Sequence, residues 1–313
     1  MRILVIGAGS IGRRHAANLQ YLGAMVTLLP WRETSAADVA DRLAQGMDGT
    51  VIATATDIRL PLIAACAGAG VPFYCEKPLA FRSDELDATA FAAAPVAARS
   101  MVGFMMRYHT AFRALAALDL TGAFRFAFSV GHDVTQWRAN WRFSESYAAR
   151  AEGGGVLLDL CHEIDMAHCL FPDLTLTGCD SLGHAAYPGV DVASVLTLRT
   201  PAGATGTVAM DYLCPQLVRR TMIDTPGLSV DFDFASGVYR TTSSTGTQIH
   251  DLAQDRNAMF VDAMRDFLSL IRGAATRDTL HLPRFDLTLP SCRLIAQAWE
   301  ARQFTANTQK DIP

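Results

Sequence analysis

The chain has 313 residues, half of them hydrophobic, with a formal net charge of −4 and seven cysteines. That length holds two domains with sizeable cores, and the apolar share excludes global disorder. The weakly acidic balance gives no reason to expect nucleic acid or an anionic membrane as a partner. No apolar run approaches the ~20 residues of a membrane span.

The cysteines are scattered and odd in number, with no C-x-x-C, and read as reduced thiols rather than a disulfide framework. Met1 stands directly before the first strand without a basic segment, apolar segment and cleavage site, so a cytoplasmic protein is expected. The chain then opens on Ile3-Leu4-Val5-Ile6, a run that fits a buried strand. Gly7, Gly9 and Gly12 follow in the spacing G-x-G-x-x-G, and Ile11 to Leu22 reads as a helix. Gly7 permits the tight turn, Gly9 lets a pyrophosphate approach the backbone, and Gly12 lets the helix pack close on the strand. The phosphates would sit on the N–H groups at the positive end of the helix. A tight strand-to-helix turn without a ligand is the alternative.

Met25–Leu29 reads as a second strand, ending at Pro30-Trp31-Arg32, and Ser35–Gln45 as a helix capped by Thr34 or Ser35. Thr50–Thr54 is a third strand, Arg59–Ala69 a helix closed by Gly70, and Phe73–Cys75 a fourth strand running into Glu76-Lys77-Pro78. A helix follows near Asp87–Ala94, begun by Ser83, and Val96–Gly103 contains a fifth strand. Strands alternating with helices imply a doubly wound, parallel sheet over residues 1–120. In such a sheet ligands lie outside the carboxyl ends of the strands, so Lys77 is expected in the same crevice as Gly9. Pro78 biases Lys77 to an extended backbone, and a lysine held there can orient a substrate hydroxyl or share its proton.

The texture changes after residue 120. Phe124–His132, Val192–Arg199, Thr205–Asp211, Thr221–Asp224, Leu228–Phe234 and Gly237–Thr242 read as strands joined without crossovers. Gly155–Phe171 and Asn257–Arg272 read as helices. An open, mostly antiparallel sheet with helices on one face is expected over 121–313, an α+β domain beside the α/β one. A last helix, 290–304, is expected to pack back on the first domain, and the tail from Thr305 to fray. Within this half, Gly153-Gly154-Gly155 would bring backbone close to a ligand before a helix. Asp159, His162 and Asp165, three apart, would then share one helical face. A histidine between carboxylates is a candidate general base; a capped amphipathic helix with a hydrogen-bonded core histidine fits equally well. Cys161, His162, His168 and Cys169 lack zinc-type spacing, so no metal is expected.

GAGSIGRRH (7–15), TVIATAT (50–56), CEKP (75–78), GFMMRYH (103–109) and GGGVLLDLCHEID (153–165) together resemble the glucose-fructose oxidoreductase / inositol 2-dehydrogenase / MocA family. The resemblance implies a Rossmann domain followed by an open-faced sheet domain, and NAD(P)-dependent hydride transfer at a carbon of a sugar, cyclitol or nucleotide-sugar. It makes Lys77 the lysine at nicotinamide and substrate, His162 the proton-transferring histidine, and Asp159 its acidic partner. The family commonly spaces that aspartate and histidine four apart; here the interval is three, a form shared by members similar to those of surface-polysaccharide clusters. In these a Trp-Arg pair and a tyrosine precede the glycines, like Trp141-Arg142 and Tyr147 here. Arg107, Trp141, Tyr147, Asp159 and His162 are thus the candidate substrate contacts. Arg107 reads first as a structural or interdomain residue and only second as a substrate contact, and Trp137, Arg138, Trp141, Arg142 and Tyr147 are equally a loop packed on the sheet.

The cofactor candidates are Gly7, Gly9, Ser10, Ile11, Gly12 and Arg13 at the first loop, Trp31 and Arg32 after the second strand, Thr54, Glu76 and Lys77. An acid at the end of the second strand marks NAD-specific domains, and none precedes Glu33 here. Arg32 would pair with a 2′-phosphate and Trp31 lie against adenine, so NADP(H) is favoured, with NAD(H) as the alternative. The expected partners are a small polyhydroxylated substrate and a second copy of the chain, as a homodimer or homotetramer formed through the open sheet. A nucleotide-sensing regulator without turnover, or a reductase of a non-sugar carbonyl or imine, are the competing readings.

Overall fold

The computed structural model describes residues 1–137, 142–274, 276 and 281–312. It divides into two compact units, Met1–His109 with Asp255–Arg293, and Thr110–Gln254 with Leu294–Pro313. The chain leaves the first unit at residue 109 and returns for 255–293, a path that a single cut at residue 120 does not describe.

The first unit is built on five parallel strands: β1 (Arg2–Ile6), β2 (Met25–Leu29), β3 (Gly49–Ile52), β4 (Phe73–Cys75) and β5 (Met101–Val102), in the order β2-β1-β3-β4-β5. Ile3, Leu4, Val5 and Ile6 are fully buried, as a parallel strand covered on both faces requires. Each such side chain contributes about 1.5–3 kcal/mol of burial. Helices α1 (Ser10–Tyr21), α2 (Ala36–Ala44), α3 (Arg59–Gly68) and α4 (Ser83–Ala93) alternate with the strands. Ser35 caps α2 in a reciprocal box with Asp38.

The second unit begins with α5 (Thr110–Ala116) and carries a nine-stranded sheet. Its strands are β6 (Arg125–Gly131), β7 (Thr175–His184), β8 (Tyr187–Arg199), β9 (Thr205–Asp211), β10 (Val218–Asp224), β11 (Ser229–Asp233), β12 (Val238–Ser243) and β13 (Gly246–His250). Between β6 and β7 lie two helices, α6 (Val156–Asp159) and α7 (His162–Leu170), which pack on β6, β8 and β9. The chain then gives α8 (Arg256–Ile271) to the first unit. There Asn257 and Asn18 of α1 exchange amide hydrogen bonds, and Phe267 and Ile271 close over Gly49. Helix α9 (Phe285–Glu300) contains Pro290 and spans the division between the units, and β14 (Gln303–Thr308) completes the sheet in the order β13-β12-β11-β10-β6-β9-β8-β7-β14. Pairs β6·β9 and β7·β14 are parallel and the remaining neighbours antiparallel. Val195, Val218 and Met222 stay exposed on this sheet.

Three expectations need correction. The segment from Thr305 does not fray: Gln303–Thr308 pairs with β7, and His184 Nε2 and the Tyr187 hydroxyl bond the carbonyls of Lys310 and Ile312. The final helix accordingly ends at Glu300, not 304. The helix expected over 155–171 is two, interrupted at Leu160, whose backbone leaves the helical region at ψ 26°.

Candidate functional site

The two glycine-rich stretches are built differently. In the first, Gly7 adopts φ +105°, and a Cβ there would stand 2.3 Å from the Ala53 carbonyl oxygen. A Cβ on Gly12 would meet the Gly7 carbonyl oxygen at 1.9 Å. Both glycines thus let α1 start against β1 and β3. Gly9 is the exception: a Cβ there meets nothing within 4 Å. Gly9 is also the N-cap of α1, with no side-chain cap and no acid in the first turn. The first-turn residues Ser10, Ile11, Gly12 and Arg13 therefore present an uncapped, positive helix end over open space. A dinucleotide pyrophosphate fits such an end.

Two side chains that the sequence reading assigned no role hold the neighbouring loops. Arg59, at the start of α3, is buried; it donates through Nε and Nη2 to the Thr54 carbonyl at 3.2 and 2.7 Å and through Nη1 to the Pro78 carbonyl. It thus ties the loop after β3 to the loop after β4. His15 on α1 is fully buried and bonds Glu76 at 2.6 Å, with its ring edge-on to Tyr74 and Phe260. Burial alone would push the Glu76 carboxyl up. The hydrogen bond from His15 and the charges of His15, Lys77 and Arg59 outweigh that and hold it below its ordinary 4.5. Lys77 follows, half-buried, joined to Pro78 by a cis peptide. A buried arginine heading an apolar helix, and a histidine three residues past the last loop glycine, were the available signals. Cys75 is pushed up to about 12 by burial and stays a thiol.

Trp31, half-buried, and Arg32, exposed, lie in a turn directly after β2. A cleft of about 390 Å³ opens beside them, lined by Glu33, Asp38, Asp41 and Arg42 among others. Arg107 is buried, donates to Ser291 at 3.3 Å and lies over Phe104, a place inside the first unit's core.

In the second unit the glycines meet the chain itself. A Cβ on Gly154 would stand 2.3–2.9 Å from the carbonyl oxygens of Arg150, Tyr147 and Ala148. Gly155, at φ +90°, has Asp191 Oδ1 at 2.0 Å from its Cβ position. The expectation that this run opens backbone to a ligand is therefore corrected for Gly154 and Gly155: both make room for a turn and a carboxylate of the same unit. Asp191, fully buried on β8, accepts from Leu157 N at 2.9 Å, from Ser194 Oγ at 2.9 Å and from Arg302. Arg302 lies over the Trp299 ring at 4.2 Å.

Asp159 closes α6 and His162 opens α7, so they do not share one continuous helix; His162 and Asp165 do. All three are buried. Asp159 Oδ1 accepts from the Tyr147 hydroxyl and Oδ2 from the Tyr212 hydroxyl, the latter at 3.0 Å. The Tyr212 phenol is pushed well up by burial, then by the Asp159 charge. Glu163, next to His162, pairs with Arg219 of β10 at 2.7 Å. Arg138 and Trp141 lie outside the described residues. A cleft of about 640 Å³ lined by Arg142, His184, Tyr187 and Lys310 lies elsewhere, without Asp159 or His162 in its wall. Among the described residues no three His, Cys, Asp or Glu side chains are grouped as a metal site, and no helix is long and apolar enough to cross a membrane.

The chain thus joins a Rossmann-type sheet with an uncapped glycine loop to a second unit built on a nine-stranded sheet. A profile of the GFO/IDH/MocA C-terminal domain matches residues 116–224. That stretch of the chain is thus similar to the C-terminal domain of the glucose-fructose oxidoreductase / inositol dehydrogenase / MocA family. It is 30% identical over 188 residues to a myo-inositol dehydrogenase of Streptomyces leeuwenhoekii, covering 54% of this chain and 55% of that one. It is 31% identical over 224 residues to a D-apiose dehydrogenase of Paraburkholderia graminis, covering 69% and 56%. The matched stretch thus spans little more than half of these relatives' length. The fold superposes on a 3-ketoreductase of Actinomadura kijaniata, solved with TDP-benzene and NADP, at a TM-score of 0.80 and 17% identity over 98% of this chain and 99% of that one.

Proposed function

We propose that this protein is an NAD(P)-dependent oxidoreductase acting on a CH–OH group of a sugar, cyclitol or nucleotide-sugar. The observation that carries this reading is the first unit's corner. There, an uncapped helix end with open space over Gly9 shares the carboxyl edge of one sheet with a lysine whose loop is braced by Glu76–His15 and Arg59. Gly7, Gly9 and Gly12 shape the phosphate loop, and Ser10, Ile11 and Arg13 supply its first helical turn. Thr54, Glu76 and Lys77 supply the edge where the nicotinamide would lie. When bound, the nicotinamide supplies the place where hydride is accepted or released. Lys77 orients the substrate oxygen and stabilises charge that develops on it, and His162 takes or returns the hydroxyl proton. The resemblances to inositol and apiose dehydrogenases support the substrate class.

NADP(H) is the favoured cofactor, because Arg32 is exposed just past β2 with no acid before it. NAD(H) is the second reading, favoured by Glu33, Asp38 and Asp41 on the cleft at that corner, which would repel a 2′-phosphate. The exposed Val195, Val218 and Met222 support a homodimer or homotetramer formed through the second unit's sheet, and the reduced cysteines support a cytoplasmic setting.

The test is a turnover screen at the nicotinamide absorbance with myo-inositol, D-apiose and nucleotide-sugars, both cofactors, both directions. Turnover abolished by Lys77→Ala is expected. Binding of cofactor with no turnover of any substrate would replace this reading by the nucleotide-sensing one.

A further inference from the structure

Arg59 is the first residue of α3, and a cation there stands against the positive end of the helix dipole. It is also buried, in a helix whose other inward residues are Leu62, Ile63, Cys66 and Ala67. A guanidinium in such a place is costly unless its N–H groups are taken up. Two loops from different strands take them up. Nε and Nη2 donate to the Thr54 carbonyl after β3, and Nη1 donates to the Pro78 carbonyl after β4. Each carbonyl leads to a different part of the candidate site. Thr54 follows Ala53, whose carbonyl oxygen would lie 2.3 Å from a Cβ on Gly7, so the glycine loop is seated directly on the loop that Arg59 holds. Pro78 follows Lys77, and Glu76 N donates to the Ile52 carbonyl at 2.9 Å on the same strand edge. The path from the glycine loop to Lys77 therefore runs through Ala53, Thr54, the Arg59 guanidinium and Pro78. A lysine in place of Arg59 would offer a compact point charge, whereas the planar fork holds two carbonyls in fixed geometry.

We propose that Arg59 is a positioning residue for hydride transfer: it couples the loop under the glycine turn to the backbone of Lys77, so that cofactor on the first loop fixes where the Lys77 amine stands. This rests on the dehydrogenase reading above, which puts the cofactor at the glycine loop and the substrate oxygen at Lys77. Arg59 acts through two backbone carbonyls and is not itself a catalytic group. Its loss therefore costs rate more than binding. The glycine loop keeps its own packing against β3, while Lys77 loses the link that sets its place, and a misplacement of about 1 Å lowers rate by up to ~10²-fold.

The sequence itself supplies the readout, because the chain has two lysines, Lys77 and Lys310. Lys310 belongs to the second unit, where Asp133 holds its Nζ at 2.8 Å, and it serves as the internal control. The full chain labelled with ε-¹³C lysine gives one side-chain signal for each, assigned by the loss of one in Lys310→Arg. In the wild type, NADPH or NADH should move the Lys77 signal and leave that of Lys310 in place. In Arg59→Met the cofactor should still bind with nearly intact affinity by fluorescence, yet move the Lys77 signal far less. Turnover of myo-inositol or D-apiose should fall by about ten- to a hundredfold in kcat with KM little changed. Arg59→Lys keeps the charge without the fork and should show the same uncoupling, so it carries the test if Arg59→Met does not fold. A Lys77 signal that the cofactor moves as far in the variants as in the wild type overturns the proposal, as does a wild-type signal that neither cofactor moves. A Lys310 signal displaced together with that of Lys77 in the variants also overturns it, since general loosening then accounts for the loss. If the wild type turns over no probe, the dehydrogenase reading fails, and the lysine signals alone then decide the positioning claim.

Discussion

Two glycine runs stand before helices in this chain, and they do opposite things. At Gly7–Gly12 the outer glycines are pressed against the chain while Gly9 faces open space at a helix end without a cap. At Gly153–Gly155 the last two glycines are filled from within, by the carbonyls of the Tyr147 turn and by Asp191. The same residue type marks a ligand approach in one place and self-packing in the other. What separates them is what an added Cβ would meet, which depends on partners 36–46 residues distant or carried by another turn: Ala53, directly after β3, stands against Gly7, and Asp191 on β8 against Gly155. The first run prepares a site; the second holds in place the residues that would work in one.

The largest effect that would break this comparison lies under the second run. Arg302→Met leaves the Asp191 carboxylate buried without its ion partner and should destabilise the protein by about 3–5 kcal/mol in urea unfolding. Asp191→Asn combined with Arg302→Met should cost clearly less than the sum of the singles. A single variant of wild-type stability would show that the glycine run is not held from β8.

Next in size are the chemical groups. Lys77→Ala and His162→Ala should each lower kcat by ~10²-fold or more, with cofactor affinity nearly intact. Wild-type turnover in the His162 variant would remove that residue from proton transfer. Arg32→Ala should weaken NADPH binding on the order of tenfold and leave NADH binding unchanged. Tighter NADH than NADPH binding in the wild type would instead favour the acid-lined cleft as the deciding feature.

The smallest expected effect is a pH dependence. The folded Glu76 carboxyl sits below its ordinary 4.5 because the His15 bond and neighbouring charges outweigh burial. A depressed carboxyl contributes stability that is complete above 4.5 and is lost as pH falls through the lower folded value. Melting temperature should therefore fall on acidification below 4.5, and less steeply in Glu76→Gln. An identical acid profile in the variant would contradict the pairing.

Much of the first unit was legible because its signals are local. A β-branched run, three glycines, a helix and the next strand each announce themselves within about a dozen residues, and the buried Ile3–Ile6 needs no distant partner to be recognised. β13 and β14 were missed for a shared reason. Gly246–His250 and Gln303–Thr308 are mostly exposed and polar, so their ladder bonds, not an apolar pattern, make them strands. The break at Leu160 escaped because the three-residue spacing of Asp159, His162 and Asp165 fits an unbroken helix. The bonds from Tyr147, Tyr212 and Arg219 show that its two sides are anchored separately. Arg59 and His15 escaped because their partners, Pro78 and Glu76, are 19 and 61 residues away.

The direct test of the contrast between the two runs is to place one methyl group in each, Gly9→Ala and Gly155→Ala, and to measure melting temperature and NADPH affinity of both. Gly9 has φ −70° and open space, so its variant should melt like the wild type yet bind NADPH at least tenfold more weakly, because the methyl stands where phosphates approach. Gly155 has φ +90° and Asp191 against it, so its variant should lose about 2 kcal/mol or more of stability, while whatever remains folded binds NADPH normally. A Gly9 variant with unchanged NADPH affinity, or a Gly155 variant as stable as the wild type, would contradict the account.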